Sequence, residues 1–589
     1  MRNKGHHFMK NQNLEIMRHS CSHVMAAVVL KLYPKVKLGI GPAIKDGFYY
    51  DFEFPKPITE DDLEKITNQM IQVIEADLSF EKKEVSVAEA KKIFKNQPYK
   101  LELIEDLVKE DHKKVSIYKT GEFIDLCVGP HVKKTSEIGP FKLLSLAGAY
   151  WRGSEKNKML TRIYGTCFPT EKELEKYLWQ IEEAKKRDHR KIGKELGLWT
   201  FSEYVGAGLP LFTQKGALVR RLINEFVEEL QSKQGITQVW TPQIAKAELF
   251  KISGHYDKYR ENMFHVKSNY SDEEFFLKPM NCPQHIQIYA SEPRSYKDLP
   301  IRLADFAMLY RDEKPGELSG LTRARSFSQD DCHIFCREDQ VDEEVDKALE
   351  MTKEIMKVFG FKYRYRLSTR DPKHPEKYIG DPKTWDKVEK WTEKIMIRNK
   401  IDHFDGPGEA TFYAPKMDLI AQDSLGREWQ LSTLQIDFLM PERFNLTYTD
   451  NKGQSARTVM LHRAILGSPE RLMAILIEHH AGALPVWLSP VQAIVIPITE
   501  KQNAYGEKLL EKLQLQNIRV KLDNRGETTS AKIRDAELQK IPYILVVGDK
   551  EIQEKAVNVR VRGEKVLGLM ATDKFLALVK EDIDKKRQV

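Results

Sequence analysis

The chain has 589 residues, 41% of them hydrophobic and 31% charged, with 94 basic against 87 acidic side chains and a formal net charge of +7. At roughly 150 residues per domain this is enough apolar material for several cores, and the mild basicity permits a nucleic-acid partner without demanding one. No apolar run reaches the ~18 residues of a membrane-spanning helix, and six cysteines are too few for a disulfide framework, so the expectation is a cytoplasmic protein without membrane contact.

Residues 24–30 are apolar and follow a basic start. Glu15 and Arg18 precede them closely and Lys31 ends them without a small-residue cleavage site, which predicts a buried helix rather than a signal peptide. Residues 47–52 read as a strand after a glycine turn and 61–78 as an amphipathic helix. Thr170 with Glu173 makes a capping box and predicts one helix over 170–196. Lys185, Lys186, Arg187, His189, Arg190, Lys191 and Lys194 crowd its second half. They suit either a solvated face that complements the helix dipole or an interdomain helix that touches phosphate.

Residues 197–490 form a large α+β region, in which a helix over 217–231 leads to a Pro-ended strand over 238–242. The later strands are long and separated by loops, which favours an antiparallel sheet. After Ser489 the rhythm changes. Strands over 492–498, 518–522 and 543–547 alternate with helices over 504–515 and 530–540, then an alternating stretch over 557–562 and a helix over 573–585. That predicts a compact α/β domain with a largely parallel sheet. The domains are therefore placed at 1–168, a linker helix at 169–196, a core at 197–488 and a last domain at 489–589.

Four groups of residues could carry chemistry. His19 and His23 lie at i and i+4 on one helix face, and Cys127 and His131 flank a Gly-Pro loop. Together they could hold a four-ligand zinc ion, line a water-holding hydrolytic pocket, or be two unrelated pairs of core residues. In the segment 302–333, Arg311 and Arg323 face each other across a strand–loop–strand hairpin, as a polyphosphate requires, with Phe327 able to stack on a base; ordinary surface arginines are the alternative. Ser468-Pro469-Glu470-Arg471 opens an apolar helix, with an arginine placed for an anion or a plain cap. Cys282, His333 and His462 carry no spacing that announces a metal. A Gly-rich phosphate loop of the P-loop or dinucleotide type is missing from the sequence.

The hairpin and the last core helix resemble a known family. Arg311-Asp312-Glu313 with Arg323-Ala324-Arg325-Ser326-Phe327 resembles motif 2 of the class II aminoacyl-tRNA synthetases. His462 to Arg471 resembles motif 3, and the helix and strand up to Pro242 resemble the dimer-forming motif 1. Lys278-Pro279-Met280-Asn281-Cys282-Pro283 and Asp331-Cys332-His333-Ile334-Phe335-Cys336 narrow the resemblance to threonyl-tRNA synthetases. The His19/His23/Cys127/His131 set, Tyr150-Trp151-Arg152-Gly153 and Arg162 to Thr166 resemble that family's editing domain. The likeness runs from about His19 to the C-terminus.

The resemblance implies a multidomain α+β enzyme with an antiparallel class II core. It would join L-threonine to tRNA(Thr) through an adenylate, using ATP and Mg2+, with one zinc per chain on Cys282, His333 and His462. Arg311 would hold the α-phosphate, Glu313 the adenine amino group and Phe327 the ring, with Arg323 and Arg471 on the outer phosphates. Asp331 would accept from the amino acid, with Gln329, Tyr413, Lys416, Gln430 and Gln435 as the surrounding wall. A missing methyl discriminates serine by only about 1–3 kcal/mol, so a second, hydrolytic site is expected. His19, His23, Tyr50, Lys100, Asp125, Cys127 and His131 would form it, holding water by side chains or by a second metal.

Glu551 and Arg560 would contact the anticodon, supported by Arg525, Lys532 and Arg534. A cytoplasmic homodimer is implied, without the small ubiquitin-like domain that often comes first in the family. The sequence departs from the family pattern at Val128, Gln284, Ser326, Ala414, Gly526 and Thr528. Two other readings are a non-catalytic tRNA-binding paralogue and a metal-dependent hydrolase built on the first domain.

Overall fold

The computed structural model describes the backbone of residues 2–589 and the side chains of residues 13–589. The chain divides into two compact units, 1–182 and 183–589.

In the first unit the long helix Arg2–Leu32 contains the apolar run, with Val24, Val28 and Val29 buried. It packs on an antiparallel sheet of Gly47–Glu53, Met159–Cys167 and Phe141–Tyr150, with two short strands added beside Gly47–Glu53. A second helix, Glu60–Glu75, starts where Asp62 accepts the Thr59 amide at 2.9 Å. Its buried Leu63, Ile66 and Met70 recur at helical spacing and enter the same core. The helix is shorter than the sequence predicts because Asp77 takes a left-handed φ of 51° just past its end. A separate three-stranded antiparallel sheet, Phe80–Ser86, Lys114–Thr120 and Phe123–Leu126, carries the helix Pro98–Lys109.

The predicted helix over 170–196 is two helices, Glu171–Lys186 and His189–Glu195. Asp188 breaks it. Its backbone leaves the helical region, with ψ at 118°, and its side chain caps the second helix by accepting the Arg190 amide at 2.8 Å.

The second unit is built on an eight-stranded sheet in the order Thr237–Gln238, Ile301–Asp305, Asp331–Cys336, Val459–Ala464, Glu428–Asp437, Lys416–Gln422, Lys362–Thr369, His403–Pro407. Its interior pairings are antiparallel, and only the two edge pairings are parallel. The strand predicted over 238–242 survives as the two-residue edge Thr237–Gln238. Helices Gln214–Lys233, Val341–Phe359 and Pro469–His479 supply the apolar side chains of its main core.

The last hundred residues form a five-stranded sheet in the order Val520–Leu522, Ala493–Pro497, Tyr543–Val547, Ala556–Val561, Lys565–Ala571. Two pairings are parallel and two antiparallel, so the sheet is mixed rather than largely parallel. The missed element is Lys565–Ala571, joined to its neighbour by a turn at Gly563 with φ +81°. A hairpin needs only such a turn, whereas a parallel connection needs a crossover.

Candidate active site

The hairpin Met308–Tyr310 and Ser326–Ser328 pairs Tyr310 opposite Ser326, and the Arg311 amide extends it by donating to the Arg325 carbonyl at 3.0 Å. The hairpin, the strand Glu428–Asp437 and the start of helix Pro469–His479 enclose a cavity of about 560 Å³. Arg311, Glu313, Arg323, Phe327, Gln329, Gln430 and Arg471, far apart in the chain, all line it.

Arg311 lies 5.0 Å from the Phe327 ring centroid and Arg471 lies 5.8 Å from that of Trp429. Both guanidinium Nε atoms are buried with no hydrogen-bond partner. Burial pulls the Arg471 pKa down. Arg311 Nη2 donates to Met280 Sδ at 3.3 Å. A buried donor without an acceptor is costly, so two such guanidinium donors in one wall suit an anionic guest. Arg323 differs. It donates to Glu313 at 2.8 and 2.9 Å and to Glu317 at 2.6 Å, so the residues expected to face phosphate and adenine here hold each other.

Gln430 and Lys416 are joined by a residue the sequence reading passed over. Asp418, fully buried, accepts from Gln430 Nε2 at 2.8 Å, Thr433 Oγ1 at 2.7 Å and Ser368 Oγ at 2.7 Å, with Lys416 Nζ 3.2 Å away. Lys416 and Asp418 are two apart in one strand and so share a face, a signal the sequence did carry.

Next to this cavity, strand register does what spacing did not. His333 and His462 stand directly opposite each other in neighbouring antiparallel strands, with Nε2 of the first 3.1 Å from Nδ1 of the second. Cys282 opens the helix Cys282–Ala290, and the ligand atoms of the three lie within 4.8 Å of one another. All three are buried.

The outward nitrogens are tied. His462 Nε2 is 2.7 Å from Asp437 Oδ2, and His333 Nδ1 is 2.8 Å from His285 Nδ1. A carboxylate oxygen only accepts, so the His462 proton sits on Nε2 and its Nδ1 lone pair points inward. Burial, reinforced by His462, keeps His333 well below its ordinary pKa and hence neutral. Two imidazoles with supported outer nitrogens and a thiol make a donor set that fits zinc. Asp331, Tyr413 and Gln435 adjoin the trio. Asp331 Oδ1 is 3.6 Å from His333 Nε2, the Tyr413 ring is 5.0 Å from that of His462, and Gln435 is the strand partner of His462. Asp331 Oδ2 and Gln435 Oε1 are buried without partners. The supporting His285 and Asp437 have no sequence signal, because only the fold makes them neighbours of the trio.

The first unit holds a second constellation. His19 and His23 rings pack edge-on at 5.0 Å, and His131 lies 4.3 Å from each. Cys127 Sγ is 3.4 Å from both His19 Nε2 and His131 Nε2. Buried Asp125 gathers the rest. It is 2.5 Å from Lys100 Nζ, accepts from the Tyr50 hydroxyl at 2.6 Å and lies 3.7 Å from His23 Nδ1. Thus all seven predicted residues of this pocket come together. Burial pushes the Cys127 thiol up to about 11 and lowers His19, His23 and His131, so the pocket is a neutral thiol among neutral imidazoles around one ion pair.

Ser20, unremarked in the sequence, sets the proton positions. Its hydroxyl donates to the Ile16 carbonyl at 2.8 Å and accepts the Val132 amide at 3.0 Å. With its single proton committed, it accepts from His131 Nδ1 at 3.1 Å, which leaves the His131 Nε2 lone pair facing Cys127. The Pro130 carbonyl, 3.2 Å from His19 Nδ1, fixes His19 in the same sense.

In the last domain the predicted residues are less available. Glu551 caps its own helix by accepting the Gly548 amide at 2.9 Å. Arg525 is paired with Asp523 and Asp535, and Lys532 is buried with Nζ 3.4 Å from the Pro497 carbonyl. Arg560 keeps a buried, unpartnered Nε. Thr528, a departure from the family pattern, caps the helix Thr529–Leu538 by accepting the Ala531 amide at 3.2 Å.

The antiparallel core sheet, the arginine hairpin and the helix opened by Ser468 define the class II aminoacyl-tRNA synthetases. Residues 264–480 match the class II core domain of the G, H, P, S and T tRNA synthetases, 492–582 the anticodon binding domain, and 115–164 the threonyl and alanyl tRNA synthetase second additional domain. The chain is 48% identical to a threonine–tRNA ligase of Rubrobacter xylanophilus over 98% of this chain and 90% of that one. It is 50% identical to one of Dehalococcoides mccartyi over 93% of each. A solved threonyl-tRNA synthetase structure from Cryptosporidium parvum superposes with a TM-score of 0.64 at 38% identity, covering 67% of this chain and 98% of that one. The chain belongs to the threonine–tRNA ligase family.

Proposed function

We propose that this protein ligates L-threonine to tRNA(Thr) through a threonyl-adenylate and hydrolyses mischarged seryl-tRNA(Thr) in its first unit. The observation that carries the ligase reading is the pair of half-buried guanidiniums, Arg311 and Arg471, each with a buried, unpartnered Nε, in one cavity beside the Cys282/His333/His462 trio. The threonine carboxylate attacks the α-phosphorus of ATP, a P–O bond forms, and the bond to the β-phosphate oxygen breaks to release pyrophosphate. Arg311 neutralises charge on the α-phosphate as it develops, Phe327 stacks on the adenine, and Arg471 holds the outer phosphates, where Mg2+ would add further neutralising charge. Arg323 and Glu313 part to take an outer phosphate and the adenine amino group. Holding the reactants in line supplies much of the acceleration.

Cys282, His333 and His462 would hold one zinc, which would supply a Lewis acid for recognising the amine and β-hydroxyl of threonine. Asp331 and Gln435 offer acceptors to the same groups, and Tyr413, Gln329, Lys416 and Gln430 wall the pocket. In the first unit the His19, His23, Cys127 and His131 cluster orients a water against the seryl ester, while Lys100, Tyr50 and Asp125 fix the substrate end. Glu551 and Arg560 contact the anticodon. Exposed Trp240 and Ile244, beside the edge strand Thr237–Gln238, support a homodimer, and six free cysteines support a reducing cytoplasm. No helix among the described residues is long and apolar enough to cross a membrane.

The test is ATP–pyrophosphate exchange with threonine, valine and serine. Exchange with threonine, weakly with serine and hardly with valine, is expected; equal rates with valine would sink the role given to the trio.

A further inference from the structure

The basic stretch that opens the second unit has a use other than phosphate contact. Arg187 donates to Glu183, to Ser424 and to the His479 carbonyl, and Arg190 folds back on Asp188. The polar side chain this stretch buries is His189, 3% exposed.

Both ring nitrogens of His189 are committed, and each to a different motif. Nε2 lies 3.1 Å from the Leu321 backbone nitrogen. An amide N–H can only donate, so Nε2 carries a lone pair and the ring proton sits on Nδ1. Nδ1 then donates to Glu478 Oε1 at 2.6 Å, and the same oxygen accepts the His189 backbone amide at 3.1 Å. Burial works against ionisation of Glu478, but the bonds from His189 and the charge of Arg427 outweigh it and hold its pKa below the ordinary value. A neutral imidazole of fixed tautomer therefore stands between a fixed carboxylate and a backbone amide. The cluster Asp188, His189 and Glu478 has metal-type donors, but these bonds leave no lone pair of the imidazole for an ion.

Leu321 lies in the loop of the arginine hairpin. The loop closes on itself through a bridge between Ser319 and Arg323, and Thr322 donates to the Ser319 carbonyl at 2.6 Å. Leu321, Thr322 and Arg323 line the 560 Å³ cavity. Glu478 ends the helix that Ser468 and Arg471 begin. Gly320 makes the approach possible: its φ is +53°, and a Cβ there would sit 2.3 Å from His189 Nε2.

We propose that His189 is a positioning residue for ATP, bracing the Ser319–Arg323 turn from behind so that Arg323 and Glu313 face the nucleotide. The brace is anchored through Glu478 to the helix that carries Arg471, so the two arginines expected on the outer phosphates are held to one frame. His189 does not line the cavity and touches no reacting atom. The assignment rests on the reading of the hairpin as the ATP grip.

The test uses the full chain in threonine-dependent ATP–pyrophosphate exchange, with KM for ATP and for threonine measured separately. His189→Asn keeps a donor near the Nδ1 position and loses the acceptor for Leu321. His189→Gln places an acceptor near the Nε2 position. His189→Asn and His189→Ala should raise KM for ATP about five- to tenfold, the scale of one lost hydrogen bond, with KM for threonine unchanged. His189→Gln should come back to within about twofold of the parent, since it restores that one bond. Gly320→Ala, which keeps the imidazole but drives a Cβ against its Nε2, should raise KM for ATP as His189→Ala does.

If His189→Ala leaves KM for ATP unchanged, or if the Asn and Gln variants behave alike with both KM values and the melting temperature moving together, the assignment is overturned and His189 is a scaffold residue. If the unaltered chain shows no exchange with threonine, the ligase reading falls and takes this assignment with it.

Discussion

The two cysteine–histidine clusters of this protein use similar side chains in opposite ways. In the first unit the charges are balanced from within: Lys100 and Tyr50 satisfy Asp125, and Ser20 and Pro130 direct the imidazole lone pairs toward a neutral thiol. In the second unit the supports are in place, but partnerless atoms are left on Asp331 and Gln435 at the cluster and on Arg311 and Arg471 in the cavity beside it. A pocket already neutral is suited to polarising a water, which brings no charge. A pocket whose guanidiniums keep unpartnered donors is suited to a polyanion, which brings its own charge. The difference teaches that the residue types of a cluster say less about its chemistry than the polar atoms left over around it.

The largest expected break in this comparison is Arg311→Ala. Removing one preorganised positive group from developing charge should lower threonine-dependent exchange about 10²–10³-fold, with seryl-tRNA hydrolysis unchanged. Next, His131→Ala should lower seryl-tRNA hydrolysis on the order of 100-fold and leave exchange intact, as removal of a positioned acid–base group does.

Metal analysis sharpens the contrast. Cys282→Ser should take zinc from one per chain to none and abolish exchange, while His131→Ala should leave the zinc count unchanged. A parent value of two that falls by one in His131→Ala would show that the first cluster is a metal site as well.

A smaller effect is expected at Ser20. Ser20→Ala should slow hydrolysis about tenfold by freeing the His131 tautomer, with Ser20→Thr close to the parent.

The smallest effect concerns stability. Burial lowers the His480 pKa to about 3. A depressed folded pKa means stability that is complete above the unfolded value of about 6.5 and is lost as pH falls toward about 3. His480→Gln should therefore flatten the acid limb of an unfolding curve by on the order of 1 kcal/mol at pH 5, allowing for partial exposure. An unchanged acid midpoint would remove His480 from that limb.

Much of this was legible in the chain because it is local. The i, i+4 pair His19 and His23 shares a helix face by geometry alone, Thr170 and Glu173 cap a helix within one turn, and Ser468 caps the helix that places Arg471. The family motifs are local in the same sense: short runs whose residue types state their chemistry. What failed in the sequence reading failed where a local pattern met a competing one. Asp188 reads as one polar residue in a charged helix, yet its capping bond to Arg190 splits that helix in two. The hairpin over 556–571 reads as one alternating stretch because the turn at Gly563 adds its second strand where a crossover was expected.

The sequence by itself determined the class of chemistry, the order of the domains and, through the family motifs, most of the groups that the fold brings together in the two pockets. Those depend on residue types and short spacings. The tertiary structure decided which groups are left without partners, which nitrogen of His19, His131 and His189 holds the proton, and that His285, Asp437, Asp418 and His189 stand behind the residues of the proposed sites. Sheet register and the packing of separate segments bring those atoms within hydrogen-bond reach, over separations from 25 positions for Asp437 and His462 to 289 for His189 and Glu478, which no helical or strand period encodes.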